Sequence, residues 1–298
     1  MPKVHFIAIG GAVMHSLALA LHQQGWQVSG SDDVIHDPAR TRLADAGLLP
    51  PTEGWTPERI TPDIDAIVLG MHAKQDNPEL LRARELNLPI QSFPEFIHQQ
   101  SLQKQRIVIA GSHGKTSTTA MVMHVLGQLE LEFDYMVGAR VPGFDHAVKL
   151  TPTAPVIILE GDEYPASALD RRPKFLVYEP HGIVVTGIAW DHINVFPTEQ
   201  DYVQAFDYLL EALPKGGFCI YNKEDKTVAK LASQHLIKET HQDIPYGTPP
   251  MRMKAGQMEI KLEGQRIPLQ VVGAHNAQNV TAAWQVCRRL AVRIEEFA

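Results

Sequence analysis

Short apolar runs alternate with amphipathic stretches through the first hundred residues. Val4 to Ile9, Gln27 to Gly30, Ala66 to Leu69 and Pro89 to Ser92 carry the strand pattern. Ala12 to Gln24, Pro38 to Ala46 and Asn77 to Leu86 carry the helical one. Regular alternation of this kind predicts a parallel sheet covered by helices. The polar stretch IHQQSLQKQR then sets a boundary near residues 101–105, giving domains of 1–102 and 103–298. Beyond it, strand patterns recur over Arg106 to Ala110, Val156 to Glu160, Gly182 to Thr186 and Phe218 to Tyr221. Helical patterns follow Gly114 and cover Glu199 to Leu213 and Lys223 to Gln234, so the second part is also doubly wound. Met253 to Val272 reads as a hairpin-rich segment, and Asn276 to Leu290 as a helix.

At 298 residues the chain has room for two cores. A net charge of −7 works against broad attraction to nucleic acid or an anionic membrane surface, so neither is an expected partner. Cys219 and Cys287 are the only cysteines and lack CxxC spacing, which gives no disulfide framework or zinc knuckle and fits a reducing, cytoplasmic setting. The opening MPKVHFIAIGGAVMHSLALALHQQG imitates a signal peptide, but Gly10, Gly11 and His15 interrupt it, and it resolves as strand, glycine turn and helix. No uninterrupted apolar run reaches the roughly 18 residues of a membrane span.

The stretch VIAGSHGKTSTTAMV, residues 108–122, joins a strand pattern to a helix pattern through two glycines. Such a turn aims backbone N–H groups and the positive end of a helix at one point, which makes an anion cradle. Gly111, Ser112, His113 and Gly114 form the loop. Lys115 adds a cation for β- and γ-phosphates, Thr116 a hydroxyl for Mg²⁺, and Ser117 follows on the same helix start. The pattern is GxxGKT rather than the strict GxxxxGK[ST], because Ile109 stands at the first glycine. A helix start that favours Gly and Thr would read the same way. Two neighbours favour nucleotide. PVIILEGDEY ends an apolar strand in Glu160, Asp162 and Glu163, on the sheet edge that carries the loop. GIVVTGIAWDHINVF delivers Asp191 and His192 to that edge, where a neutral imidazole can ligate a metal. The alternative is solvated loop acids and a hydrogen-bonding histidine.

In this order, GSHGKTSTT, EGDEY, WDHINVF and GAHNAQN, with HFIAIGGAVMHSLA and GSDD ahead of them, resemble the Mur ligase family of ATP-dependent, amide-forming enzymes of peptidoglycan synthesis. The resemblance covers essentially the whole chain. It implies an N-terminal Rossmann-like parallel-sheet domain followed by a P-loop type central domain, an α/β fold throughout, with ATP and Mg²⁺ as cofactors. It implies Lys115, Glu160 and His192 as catalytic residues, Thr116, Glu160 and His192 as metal ligands, and His275, Asn276 and Asn279 against adenine. The first glycine motif looks like that of the branch that binds UDP-N-acetylmuramate. Gly10, Gly11, Ala12, Val13 and Met14 are then expected at the uridine diphosphate, Ser31 and Asp32 in the nucleotide pocket, and His72 and Asn77 facing the same ligand.

Within that branch one reaction adds L-alanine to UDP-N-acetylmuramate, and another, in peptidoglycan recycling, adds the tripeptide L-alanyl-γ-D-glutamyl-meso-diaminopimelate. EGDEYPASALDRRPKFLVYEPH resembles the recycling type. Arg171, Arg172 and Lys174 are expected to pair with the tripeptide's extra carboxylates, a basic surface loop being the alternative. The expected function is therefore an amide ligase of peptidoglycan recycling that works through an acyl phosphate.

Three departures accompany the resemblance. Phe206 or Asp207 falls where several relatives carry a carbamylated lysine, an absence shared with the muramate-binding branch. Ala274 stands where Arg or Glu is more usual in the adenine motif. Family members also carry a C-terminal Rossmann-like domain, whereas this sequence stops at RRLAVRIEEFA. The expectation is a shortened form that binds UDP-muramate and ATP but ligates poorly or not at all. From other classes, the chain could be a nucleotide-binding module without chemistry, or a dinucleotide-dependent oxidoreductase, which leaves GSHGKT unexplained.

Overall fold

The structure, a computed structural model, describes residues 1–237 and 239–298. In chain order the elements of the first part are β1 (Lys3–Ile7), α1 (Ala12–Gln23), β2 (Gln27–Ser31), α2 (Ala39–Asp45), β3 (Ala66–Leu69), α3 (Pro78–Glu85), β4 (Ile90–Ser92) and α4 (Phe93–Gln100). There follow β5 (Gln105–Ala110), α5 (Lys115–Gln128), β6 (Asp134–Met136), β7 (Val148–Lys149), β8 (Val156–Glu160), α6 (Lys174–Val177), β9 (Gly182–Val185) and α7 (Glu199–Glu211). The last are β10 (Phe218–Asn222), α8 (Lys226–His235), β11 (Gln242–Tyr246), β12 (Met251–Lys254), β13 (Gln257–Leu262), β14 (Gln265–Leu269), α9 (Ala274–Arg289) and α10 (Ile294–Phe297). Among the described residues no helix is long and apolar enough to cross a membrane.

The chain forms two compact units. The first takes Met1–Gln103, Asp134–Ala154 and Tyr164–Tyr178; the second takes Lys104–Phe133, Pro155–Glu163 and Glu179–Ala298. In the first unit a parallel sheet runs in the order β2-β1-β3-β4. Ile7, Ile67 and Leu69 from its strands are buried with Leu80 and Ala83 of α3. β1 pairs with β2 so that Ile7 lies opposite Ser31. The chain leaves β1 through Ala8 and Ile9, whose N–H groups both donate to the Ser31 carbonyl at 2.9 and 3.0 Å. β6 and β7 form an antiparallel pair within this unit.

In the second unit β11-β10-β9-β5-β8 run parallel. Ile107 to Ala110 and Ile157 to Leu159 are completely buried, as strands covered on both faces must be. From neighbouring β5 and β9 the chain leads on to opposite sides, toward β8 and toward β10, so the connections diverge between them, the position at which open α/β sheets bind ligands. Ile109 lies opposite Glu160, and Ala110 opposite Val185. Three strand tips thus meet beside Gly111. α7 begins with a reciprocal cap between Thr198 and Asp201, and its buried Tyr202, Ala205, Phe206 and Leu209 recur at the spacing of one helix face. β12, β13 and β14 form a separate antiparallel sheet.

The sequence-predicted elements are present with ends shifted by a few residues. α4, the β6–β7 pair, α6, β11 and α10 are not among them. α4 occupies part of the stretch read as a polar boundary; its Phe96 and Ile97 are buried, and a Ser92–Glu95 capping box starts it.

Candidate nucleotide and metal site

The loop after β5 can be built only with glycine at both ends. Gly111 has φ 131° and Gly114 φ 82°. A Cβ on Gly111 would run into the Thr186 side chain and lie 3.0 Å from the Gly187 carbonyl; one on Gly114 would run into the Asn279 carboxamide. The segment that follows β9 then clamps the loop. The Ser112 N–H donates to the Gly187 carbonyl at 2.9 Å, and Thr186 Oγ1 donates to the His113 carbonyl at 2.5 Å. α5 starts at Lys115 with no side-chain cap, which leaves its first N–H groups aimed at the loop. Ser117 is exposed on that first turn.

Around this turn the strand-end acids are tied to the loop residues. Lys115 Nζ donates to the Gly111 carbonyl at 2.6 Å and to Glu163 Oε2 at 3.0 Å. The Glu163 side chain is 1% exposed, and its Oε1 also receives the Tyr202 hydroxyl at 3.2 Å and faces His192 Nε2 at 3.2 Å. Thr116 Oγ1 donates to Glu160 Oε1 at 3.0 Å. Ser112 Oγ and the Tyr202 hydroxyl are 2.8 Å apart, and the Ala189 N–H donates to Ser112 Oγ at 2.8 Å. Burial pushes the Tyr202 phenol far above its ordinary pKa, the Ser112 hydrogen bond opposing and the Glu163 charge reinforcing the rise, so it remains a proton donor. His192 adopts φ 58°, with its N–H on Asp191 Oδ1 at 2.6 Å.

Beside the loop lies a cavity of about 410 Å³, bounded by Ser112 to Gly114, Thr186 to Ala189, Asn222, Glu224 and Asp225 on the β10 side, and His275, Gln278 and Asn279 of α9. Asp225 fixes its floor by accepting from the Ile188 N–H at 2.8 Å while capping α8. Glu224 accepts from the Thr248 hydroxyl at 2.7 Å and from Gln278 at 2.8 Å, and the Thr248 hydroxyl holds its carboxyl below the usual value. Asn276 stands outside the lining, its amide donating to the Val272 carbonyl at 2.8 Å.

Among the described residues no cluster of three or more His, Cys, Asp or Glu is grouped for a metal ion. The Thr116 hydroxyl and Glu160 carboxylate form an all-oxygen pair beside the loop, which fits Mg²⁺, an ion that usually takes one or two protein ligands and fills its shell with phosphate and water.

In the first unit Gly10 and Asp32 meet. The Gly10 N–H donates to Asp32 Oδ2 at 2.7 Å, and a Cβ on Gly10 would lie 2.9 Å from that oxygen. Burial pushes the Asp32 carboxyl up, with the Gly10 and Asp33 N–H groups opposing. Gly11 precedes α1 and its carbonyl accepts from His15 Nδ1 at 2.9 Å. Of the following residues Ala12 is exposed, Val13 half-buried and Met14 buried. His72 is exposed.

Ser31 and Asn77 are turned to a buried network instead. Ser31 Oγ donates to Glu79 Oε1 at 2.6 Å, and Asn77 Oδ1 caps α3 by accepting from the Glu79 and Leu80 N–H groups. Burial alone would raise the Glu79 carboxyl, but hydrogen bonds from His5, Ser31 and the Thr56 N–H outweigh it and hold it below its ordinary value. Arg172 closes on Asp170 in a two-pronged pair at 3.0 and 2.7 Å, with Glu95 at 3.8 Å. Arg171 is exposed, and Lys174 is the half-buried first residue of α6.

In the sequence Glu163 is one of three strand-end acids, and Tyr202 carries no motif. Its helical spacing marks it as core, and only the fold brings its hydroxyl to a loop 90 residues earlier.

A parallel sheet with an anion cradle at its switch point, a lysine, an oxygen pair and an adjoining cavity defines a nucleotide-binding α/β protein. The chain belongs to the Mur ligase family: residues 109–287 match the Mur ligase middle domain, and residues 3–105 match the Mur ligase family catalytic domain. Its relatives include the UDP-N-acetylmuramate–L-alanine ligase of Aquifex aeolicus, 30% identical over 98% of this chain and 64% of the relative. The UDP-N-acetylmuramate–L-alanyl-gamma-D-glutamyl-meso-2,6-diaminoheptandioate ligase of Haemophilus influenzae is 26% identical over 99% of this chain and 66% of the relative. The chain thus spans about two thirds of the length of these curated relatives. The crystal structure of the UDP-N-acetylmuramate:L-alanyl-gamma-D-glutamyl-meso-diaminopimelate ligase from Neisseria meningitides superposes with a TM-score of 0.87 at 26% identity, covering 100% of this chain and 96% of that one.

Proposed function

We propose that this chain binds ATP and UDP-N-acetylmuramate as part of an amide ligase of peptidoglycan recycling, whose amine substrate is the tripeptide L-alanyl-γ-D-glutamyl-meso-diaminopimelate. The observation that carries the reading is the convergence of Lys115, Thr116, Glu160, Glu163 and His192 on the turn at 111–116. A carboxylate becomes open to amine attack only with a leaving group, so the muramyl carboxylate takes the γ-phosphoryl of ATP, releasing ADP. The amine then forms the amide bond and expels phosphate. The backbone N–H groups of the loop and the start of α5 orient the triphosphate, and Lys115 transfers its charge from Glu163 to the γ-phosphoryl oxygens. Thr116 and Glu160 would hold Mg²⁺, which when bound neutralises charge on the β- and γ-phosphates. His192 orients at the acyl end of the site through Glu163. His275 and Asn279 are the cavity residues assigned to adenine. Gly10, Gly11 and Asp32 form the turn assigned to the uridine diphosphate.

The structural likeness to the neisserial ligase supports the tripeptide. L-alanine is the second reading, favoured by the 30% identity to the Aquifex aeolicus relative. Calorimetry with Mg·ATP and with UDP-N-acetylmuramate tests the two binding sites. ADP release is then compared with L-alanine and with tripeptide, using this chain extended by the remaining third of a curated relative. Faster turnover with tripeptide supports recycling, faster turnover with L-alanine supports the second reading, and binding with neither reaction supports a module without chemistry.

A further inference from the structure

We propose that Tyr202 is a positioning residue for the phosphate loop, its phenol linking Ser112 in the loop to Glu163, the acid that holds Lys115. The inference rests on the proposed triphosphate site and adds to it a residue outside the motifs that carried that reading.

The direction of the hydrogen bonds follows from counting protons. The phenol has one proton and gives it to Glu163 Oε1 at 3.2 Å, an acceptor-only group. Across the 2.8 Å Ser112–Tyr202 contact the Ser112 hydroxyl therefore donates to the Tyr202 oxygen, while Ser112 Oγ accepts from the Ala189 N–H at 2.8 Å. The chain therefore runs from a backbone N–H of the segment after β9, through the loop serine and the phenol, to a carboxylate that is 1% exposed. The ring cannot follow a moving partner. It is fully buried and set edge-on between Phe196, at 5.1 Å, and Phe206, at 5.3 Å.

This placement has two consequences for nucleotide binding. Ser112 is held against the anchored end of α7, which fixes the loop before phosphate arrives. Glu163 keeps a strong donor when Lys115 leaves it for phosphate, which lowers the cost of that exchange, because a buried carboxylate that loses its partners is penalised. Without the phenol, Ser112 lacks its acceptor and Glu163 depends more heavily on Lys115. Both effects weaken ATP binding, and neither touches the first unit.

The test uses the 298-residue chain with Tyr202→Phe, Ser112→Ala, the double variant and Ser112→Thr. Mg·ATP affinity is measured by calorimetry, and exchange of the Ala189 amide is measured without nucleotide. Removing a hydrogen bond to a buried charged group predicts Mg·ATP binding weakened about tenfold or more in Tyr202→Phe. Ala189 exchange rises by a similar factor, while UDP-N-acetylmuramate affinity stays within about twofold. Ser112→Ala weakens ATP binding in the parent but adds less than about twofold on top of Tyr202→Phe, because both variants break one link. Ser112→Thr, which keeps the hydroxyl, retains affinity. Unchanged affinity and exchange in Tyr202→Phe, or losses that simply multiply in the double variant, overturn the proposal. If Tyr202→Phe does not fold, the contrast between Ser112→Ala and Ser112→Thr decides it alone. A parent chain that binds no ATP refutes the triphosphate site, and the exchange measurement still decides whether Tyr202 holds Ser112.

Discussion

Lys115 Nζ lies 3.0 Å from Glu163 Oε2, with the lysine 15% and the glutamate 1% exposed. The cation that opens α5 is therefore held by a buried acid one strand away, and in the proposed site it exchanges that acid for phosphate oxygens. Lys115→Ala is expected to lower ATP-dependent phosphoryl transfer by at least about two orders of magnitude. It should also cost about 1–3 kcal/mol of stability, because Glu163 loses its cation but keeps Tyr202 and His192. Transfer from labelled ATP and urea denaturation measure the two effects.

Thr116 and Glu160 form the oxygen pair assigned to Mg²⁺. Glu160→Gln keeps the shape and removes the charge, so the Mg²⁺ concentration that half-saturates ATP binding should rise by about tenfold. ATP titrations across a magnesium series check this. An unchanged magnesium requirement would place the ion elsewhere.

Gly114 combines a left-handed backbone with close approach to Asn279, whereas Gly216 has φ 84° and open space around a Cβ. Gly216→Ala should cost about 1–2 kcal/mol, the left-handed penalty alone. Gly114→Ala should cost more and should also weaken Mg·ATP binding, since Asn279 borders the cavity. Thermal unfolding of the two variants side by side, with calorimetry on each, separates backbone strain from collision.

The strand, loop and helix around residues 105–128 were legible in the sequence because each is set locally: an apolar run, two glycines, then a lysine and small hydroxyl residues leading into the largely apolar helical run from Ala120 to Leu126. The acids at 160–163 were legible because a parallel sheet puts all strand tips on one edge. The network around Glu79 was not, because its partners His5, Ser31 and Thr56 are distant in sequence and individually ordinary. For Asn77, Asn before Pro and Glu carries the signature of a helix cap as well as of a ligand contact, and the cap is the role its side chain takes. Arg172 pairs with Asp170 only two residues away, a local partner that competes with any substrate carboxylate. The grouping of Asp134–Ala154 and Tyr164–Tyr178 with the first unit depends on long-range contacts that no local pattern encodes.

His15 gives a pH signature. Burial, helped by repulsion from Arg42 and His146 and opposed by the Gly11 carbonyl, holds its pKa below the ordinary 6.5. The folded chain thus takes up this proton less readily than the unfolded one. Stability is fully present above 6.5 and falls as the pH drops through it. Urea midpoints for the first unit should decline between about pH 7.5 and 5.5. His15→Asn, whose amide can donate to the Gly11 carbonyl without titrating, should flatten that slope. Equal slopes in both proteins would show that His15 is not the titrating group.

The most direct measurement is a crystal structure of this chain with Mg²⁺ and a non-hydrolysable ATP analogue. The account predicts the triphosphate against the backbone N–H groups of residues 111–116, Lys115 moved from Glu163 to phosphate oxygens, and magnesium on Thr116 and Glu160. A nucleotide bound elsewhere, or bound with the Lys115–Glu163 pair intact and Thr116 and Glu160 away from the metal, would contradict it.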